Sequence, residues 1–194
     1  MKVTVVGQGY VGLPLAITAS QSGYTVYGLD NNDEKVALLK LGTSIVEDLS
    51  DEVIKRSVDS KKYLPTVDQS VISESDVILI CVPTPSKENG QCDTSIVEES
   101  VSWMTNPIIL IKSTIEIGTT RKLIEKYNKK IVFSPEFAGE SKYWTPQGFT
   151  TDVKQTPFFI FGSDDKSVGH RLVDIYMPIT GPSKTYRVTD SISA

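Results

Sequence analysis

Residues 2–30 read KVTVVGQGYVGLPLAITASQSGYTVYGLD, and the fold class follows from them. Residues 3–6 form a run of apolar and β-branched side chains ended by Gly7. Hydrophobicity that does not alternate marks a strand buried on both faces of a parallel sheet. Over residues 11–22 the apolar Leu15, Ala16 and Ala19 recur at helical spacing, and Gly23 stands where a helix C-terminal glycine belongs. Pro14 falls in the first turn of that helix, where its missing N–H has no intrahelical partner to lose. Residues 25–30 are again short and apolar, so the stretch reads strand, helix, strand.

Gly7, Gly9 and Gly12 form GxGxxG at the junction of the first strand and helix, and Asp30 closes the second strand. The pieces share a mechanism. The first glycine permits a tight turn, the second lets the backbone approach a pyrophosphate, and the third lets helix and strand pack closely, while the helix N-terminus favours the anion. An acidic residue at the end of the second strand accepts hydrogen bonds from the adenine-ribose hydroxyls. A 2′-phosphate would meet like charge there, so the expected cofactor is NAD and not NADP.

The rhythm continues outward. Asn32 can cap a helix carrying Val36, Leu38 and Leu39, and a further helix is expected over residues 51–60. Residues 76–82 hold the apolar core Val77, Ile78, Leu79 and Ile80, and three more strands are expected at 108–112, 131–134 and 158–161. Helices are expected at 94–104, 119–127 and 164–176. The alternation predicts an α/β fold with a doubly wound, mainly parallel sheet and right-handed crossovers, a single Rossmann-like domain over residues 1–194. Residues 138–157, with Gly139, Pro146, Gly148 and Pro157 beside Tyr143 and Trp144, have no period and read as a functional lid loop.

Composition narrows the function. With 194 residues, 39% hydrophobic and 23% charged, the chain can bury about 70% of its unfolded surface without disulfides or a structural metal. Cys81 and Cys92 cannot make a disulfide scaffold, and with the single His170 the usual zinc spacings are absent, so a reducing cytoplasm is expected. A net charge of −4 without long like-charge runs argues against a nucleic-acid partner. No apolar stretch approaches the ~20 residues of a membrane span, and the apolar run before Gly7 is too short for a signal peptide.

Two further strand ends carry chemistry. Val82, Pro83, Thr84 and Pro85 follow the central strand, where open α/β sheets place their ligands. Cys81 reads as an inert core thiol, and His170, inside an amphipathic helix, as a surface or packing residue. Ser113, Thr114, Gly118, Thr119 and Thr120 follow the next strand, and Ser134, Pro135, Glu136 and Phe137 the one after. Hydroxyls and a carboxylate at successive strand ends can position a water or an alcohol and accept its proton. By spacing alone Glu136 is either that base or a loop carboxylate, and Lys35 is a solvated helix residue.

The stretches 2–15 (KVTVVGQGYVGLPL), 81–85 (CVPTP), 112–120 (KSTIEIGTT) and 134–142 (SPEFAGESK), in that order, resemble the NAD-binding domain of the UDP-glucose/GDP-mannose dehydrogenase family. The resemblance runs from the first residue to nearly the last, and the SPEF and ESK elements look closest to the UDP-glucose 6-dehydrogenases. It implies oxidation of a sugar C6 alcohol to a carboxylate by two NAD molecules through a cysteine-bound thiohemiacetal and thioester, with UDP-glucose as the expected nucleotide sugar. Residue by residue, it implies that Gly7, Gly9, Tyr10, Val11 and Gly12 hold the cofactor and that Asp30 and Lys35 meet the adenine ribose. It places Val82, Pro83, Thr84, Thr114 and Glu140 about the nicotinamide. It makes Thr114 and Glu136 catalytic, and sets Glu136, Phe137, Ala138, Gly139 and Glu140 against the sugar nucleotide.

This chain departs from the family pattern at Glu116, where proline is usual, at Ala138 and Gly139, where a Leu-Arg pair is common, and after Pro157, where an arginine is missing. Residues 188–194 (VTDSISA) look like the approach to the family's central helix. That helix, through which members commonly dimerise, and the catalytic half beyond it have no counterpart here. The chain is therefore expected to bind cofactor without oxidising a sugar by itself, as half of a nucleotide-sugar 6-dehydrogenase. The alternative is a stand-alone NAD-binding module or the partner of a separately encoded catalytic half.

Overall fold

The computed structural model describes residues 1–47, 49–105, 108–136 and 153–194. Along the chain run β1 (Lys2–Val6), α1 (Gly12–Gln21), β2 (Thr25–Leu29), α2 (Asp33–Lys40), α3 (Asp51–Asp59), β3 (Tyr63–Thr66), β4 (Val77–Ile80), α4 (Ser95–Trp103), β5 (Ile108–Ile111), α5 (Thr119–Tyr127), β6 (Ile131–Phe133), β7 (Phe158–Gly162), α6 (Lys166–Thr180) and β8 (Thr185–Thr189). Short 3₁₀ helices lie at Gln69–Glu74 and Val153–Gln155. The strands form one sheet in the order β3-β2-β1-β4-β5-β6-β7-β8, parallel throughout except where β6 meets β7 at Phe133 and Gly162. This is the doubly wound, mainly parallel sheet that the alternation predicts. No helix among the described residues is long and apolar enough to cross a membrane.

The non-alternating strands are explained by two buried faces. Val3, Val5, Val77, Leu79 and Leu110 pack with Leu13 and Ile17 of α1, Ile54 of α3 and Leu172 and Ile175 of α6. Ile78, Ile80, Ile109 and Ile111 pack on the other side with Val97 and Val101 of α4 and Leu123 of α5. Side chains one residue apart on a strand point to opposite faces, so both must be apolar when helices cover both.

Register aligns the strand ends. Val6 pairs with Leu29 on one side and Ile80 on the other, Ile80 with Ile111, and Ile111 with Phe133. The next residues, Asp30, Gly7, Cys81, Lys112 and Ser134, therefore form a row along the carboxyl edge. Each still donates its backbone N–H to a neighbouring strand, at 2.8 to 3.1 Å. Between β1 and β4 the connections part, toward α1 on one face and α4 on the other, which opens a crevice at the switch point.

Three features lie outside the sequence expectations. β3 and β8 are the sheet's two edges and were not anticipated, and α6 runs on to Thr180 through Pro178 instead of ending at Tyr176. Of the expected lid at 138–157, all but residues 153–157 lies outside the described residues.

The junction of β1 and α1 is the tightest point. A Cβ added at Gly12 would lie 1.8 Å from the Gly7 carbonyl oxygen and 3.1 Å from Cys81 Cβ. Gly12→Ala should accordingly lower stability by roughly 3 kcal/mol, the upper range for overpacking against backbone. Urea denaturation measures this, and a loss below about 1 kcal/mol would show that the helix can move off the strand at little cost.

Candidate functional site

The crevice is a cleft of about 640 Å³ at the carboxyl edge. Gly7, Gly9, Tyr10 and Val11 form one wall, Asp30 and Lys35 close one end, Val82, Pro83, Thr84 and Pro85 face the turn, and Lys112, Ser113, Thr114 and Glu136 lie at the other end. The residues chosen from separate stretches of sequence thus share one cavity. Gly12 lies beneath it, packed against the turn. Phe137, Ala138, Gly139 and Glu140 lie outside the described residues.

Gly7 has a φ of +88°, a conformation costly for any residue with a Cβ, and the added atom would sit 2.6 Å from the Cys81 carbonyl oxygen. Gly9 is different: a Cβ there would meet no protein atom within 4 Å, so the space beside it is open. The helix that follows begins at Val11 with no side-chain cap and no acidic residue in its first turn. The Leu13 N–H is taken by the Gly9 carbonyl at 3.0 Å and Pro14 has none, so it is the N–H groups at Val11 and Gly12, with the positive end of the dipole, that are left for an anion.

Asp30 is buried, and its carboxylate is held from three sides. Oδ2 accepts from the Gln8 N–H at 2.7 Å and from Lys35 Nζ at 3.0 Å, and Oδ1 accepts from the Asn32 N–H at 3.1 Å. A carboxylate offers about four acceptor sites, so room for a ligand hydroxyl remains. Lys35 is thereby an ion-pair partner of Asp30 and not simply a solvated helix residue.

At the far end Lys112 has a fully buried side chain. Its ammonium faces three acceptors from consecutive residues: Ser134 Oγ at 3.2 Å, the Pro135 carbonyl at 3.2 Å and Glu136 Oε2 at 3.3 Å. It also lies 5.3 Å from the centre of the Tyr176 ring. A lysine has three N–H donors, so the cation is fully used in fixing the segment that carries Glu136. Sequence reading gave Lys112 no role, although it opens the quoted KSTIEIGTT stretch. Its apolar neighbours on the strand were the available signal, since a charge that ends a doubly buried strand needs a partner.

Cys81 sits on the cleft floor between these groups. Burial pushes its thiol up to about 12, with the Lys112 charge opposing and the Glu136 charge adding to the shift. It is a packing residue with little thiolate at neutral pH. Cys92 is not part of the cleft lining, its sulfur donating to the Thr114 carbonyl at 3.4 Å while its N–H donates to Glu116 Oε1 at 3.0 Å. Glu116 thus anchors the arm of residues 86–92. Ser113 Oγ donates to the Val82 carbonyl at 2.8 Å and ties the two loops that hold Thr84 and Thr114. His170 is exposed on α6, and Thr119 and Thr120 begin α5, away from the cleft lining.

A glycine turn opening onto an uncapped helix, beside a buried carboxylate at the end of the next strand, is the arrangement of a dinucleotide-binding domain. Residues 1–180 match the UDP-glucose/GDP-mannose dehydrogenase family, NAD binding domain, and the chain belongs to that family. A UDP-N-acetyl-D-mannosamine dehydrogenase of Methanococcus maripaludis is 36% identical over 139 residues, covering 67% of this chain and 32% of that protein. A UDP-glucose 6-dehydrogenase of Rickettsia prowazekii is 30% identical, covering all of this chain and 46% of that protein. In structure, a UDP-D-ManNAc dehydrogenase from Pyrococcus horikoshii superimposes with a TM-score of 0.86 at 23% identity, over 100% of this chain and 48% of that one, a likeness of fold. The chain spans less than half the length of each of these relatives. NAD is the cofactor of this domain family, and the open space at Gly9, the uncapped helix and the pinned Asp30 fit it.

The Lys112–Glu136 pair makes a testable demand on stability. Removing one partner of a buried ion pair typically costs about 3–5 kcal/mol because the other charge is stranded. Lys112→Met should show that loss in chemical denaturation, and Lys112→Met with Glu136→Gln should recover a large part of it. A double-variant loss equal to the sum of the losses in Lys112→Met and Glu136→Gln taken singly would show that the two groups are not coupled.

Proposed function

We propose that this chain is the NAD-binding half of a nucleotide-sugar 6-dehydrogenase that takes UDP-glucose to UDP-glucuronate in two successive hydride transfers. The observation that supports the reading is that one cleft joins the glycine turn and Asp30 at one end to Thr114 and Glu136 at the other. NAD, when bound, supplies the hydride acceptor. Asp30 would accept from an adenine-ribose hydroxyl, and the N–H groups at Val11 and Gly12 with the positive end of α1 would take the pyrophosphate charge. Val82, Pro83 and Thr84 would wall the nicotinamide, with Thr114 beside the reacting carbon. Glu136, held by Lys112, would take a proton from the alcohol or from an attacking water. The choice of UDP-glucose rests on the SPEF and ESK elements, and the relatives include enzymes named for UDP-glucose and for UDP-N-acetyl-D-mannosamine.

Titration calorimetry should show NAD binding more tightly than NADP, and Asp30→Ala should narrow the gap by removing the charge that opposes a 2′-phosphate. Gly9→Ala should leave stability nearly unchanged, since its Cβ enters open space, yet weaken NAD. Equal or tighter binding of NADP by the unmodified chain would overturn the assignment. A melting-temperature panel with UDP-glucose, GDP-mannose and UDP-N-acetylmannosamine reports the sugar, because a ligand at about 100 times its dissociation constant adds roughly 2.7 kcal/mol.

Joined to a catalytic half, Glu136→Gln should slow turnover by about 10² to 10⁴, the usual contribution of a positioned acid or base, and covalent enzyme–sugar adduct should accumulate. A near-normal rate without adduct in mass spectra would leave Glu136 as a loop carboxylate.

A further inference from the structure

Gln8, the residue between Gly7 and Gly9, sends its side chain inward and is completely buried. Its Nε2 donates to the Val5 carbonyl at 2.8 Å, and its Oε1 accepts from the Tyr63 hydroxyl at 2.7 Å. Tyr63 opens β3, and to reach Gln8 it crosses β2 at Gly28. A Cβ at Gly28 would lie 2.6 Å from Tyr63 Cε2, 2.7 Å from the Tyr63 hydroxyl and 2.8 Å from Gln8 Oε1. Glycine inside a strand is destabilising, and here its place is taken by the passing hydrogen bond. The main-chain N–H of the same Gln8 donates to Asp30 Oδ2.

We propose that the Tyr63–Gln8 hydrogen bond is a positioning strut for ribose recognition, holding the Gln8 amide on Asp30 and thereby setting the preference for NAD over NADP; this rests on the reading of the cleft as an NAD site. The two donors on Asp30 Oδ2 differ in stiffness. Lys35 Nζ ends a flexible side chain that is 30% exposed, whereas the Gln8 N–H is main chain and moves only if the turn moves. With the Asn32 N–H on Oδ1 at 3.1 Å, it is the second of these that completes a main-chain grip on the carboxylate and fixes where Oδ2 points. With the strut cut, the turn relaxes and the carboxylate can follow Lys35 outward. The ribose hydroxyls then lose their acceptor, and a 2′-phosphate meets an ammonium where it would have met a carboxylate. Burial and the nearby Asp30 charge push the Tyr63 hydroxyl far above its usual range, so it remains a donor at every working pH. Neither the Tyr63 ring nor the Gln8 amide group needs to touch the cofactor, so both are positioning groups.

The test is calorimetry of NAD and NADP on the 194-residue chain. Tyr63→Phe keeps the ring and removes the donor, and Gln8→Met keeps the shape and removes the acceptor. Each should weaken NAD about tenfold while NADP changes by no more than about twofold, so the preference contracts. Tyr24→Phe, which removes a hydroxyl bonded to the Ile175 carbonyl at 3.0 Å at the amino end of β2, away from the cleft, should lower the melting temperature and leave the NAD:NADP ratio alone. A lowered melting temperature with an unchanged ratio in both strut variants would overturn the inference. In the unmodified chain the Gln8 amide should exchange with solvent as slowly as the β1 amides, and exchange at loop rates would overturn it without any variant. If the unmodified chain fails to bind NAD, the underlying reading falls and the inference with it; normal binding with an unchanged ratio removes the inference alone.

Discussion

Five parallel strands end level with one another, and every feature of the cleft depends on that alignment. Because Leu29, Val6, Ile80, Ile111 and Phe133 are in register, the residues that follow them stand side by side although they come from distant parts of the chain. The backbone bonds continue one residue past each strand, so the row is as firmly placed as the sheet. At its centre Gly7 and Gly12 let α1 come down onto the end of β1 closely enough that a methyl group would collide with main chain. That contact aims the helix N-terminus across the row. A longer approach would still give a sheet, but not an anion site beside Asp30.

How much of this is legible in sequence divides along the sheet. The interior strands declare themselves because both faces are covered and both sets of side chains must be apolar, as in Val77–Ile80 and Ile108–Ile111. The two edge strands do not. β3 is Tyr-Leu-Pro-Thr with every second residue buried, and a proline, with no N–H for the ladder, suits an edge. β8 carries Arg187 and has no fully buried residue. A strand paired on one side and partly exposed has no reason to show the continuous run by which its neighbours are recognised. The last helix outruns its expected end at residue 176 for a different reason: α6 carries Pro178 inside it and continues two residues beyond, with Ile179 packed in the core.

The cleft shows the same division between local and distant information. The places of Gly7, Gly9, Gly12 and Asp30 are legible because they are set by turn geometry within one βαβ unit. Lys112 and the Gln8–Tyr63 pair are not, because each acquires meaning from a partner 22 to 55 residues away. A lysine next to a serine and a threonine reads as solvated until the strand before it proves to be buried on both sides. Gly28 is the one local trace of the second pair: a glycine in the middle of an apolar strand signals a close approach without saying whose.

The two ends of the cleft each hold a carboxylate with a lysine, and the pairs are built in opposite ways. Lys35 reaches Asp30 from a helix surface with 30% of its side chain exposed, so the lysine can move aside for a ligand at small cost while the Gln8 and Asn32 N–H groups hold the carboxylate. Lys112 has no exposure, Glu136 has 5%, and the ammonium is bound to three residues in succession. Separating that pair would strand a charge in a low-dielectric site, so it does not adapt to a ligand. Under the function proposed above, such an arrangement suits recognition at one end and chemistry at the other. A group that must accept a proton from a reacting atom gains most from being held in one place before the substrate arrives, since small displacements cost rate steeply. A group that only has to find a hydroxyl gains from a partner that can yield.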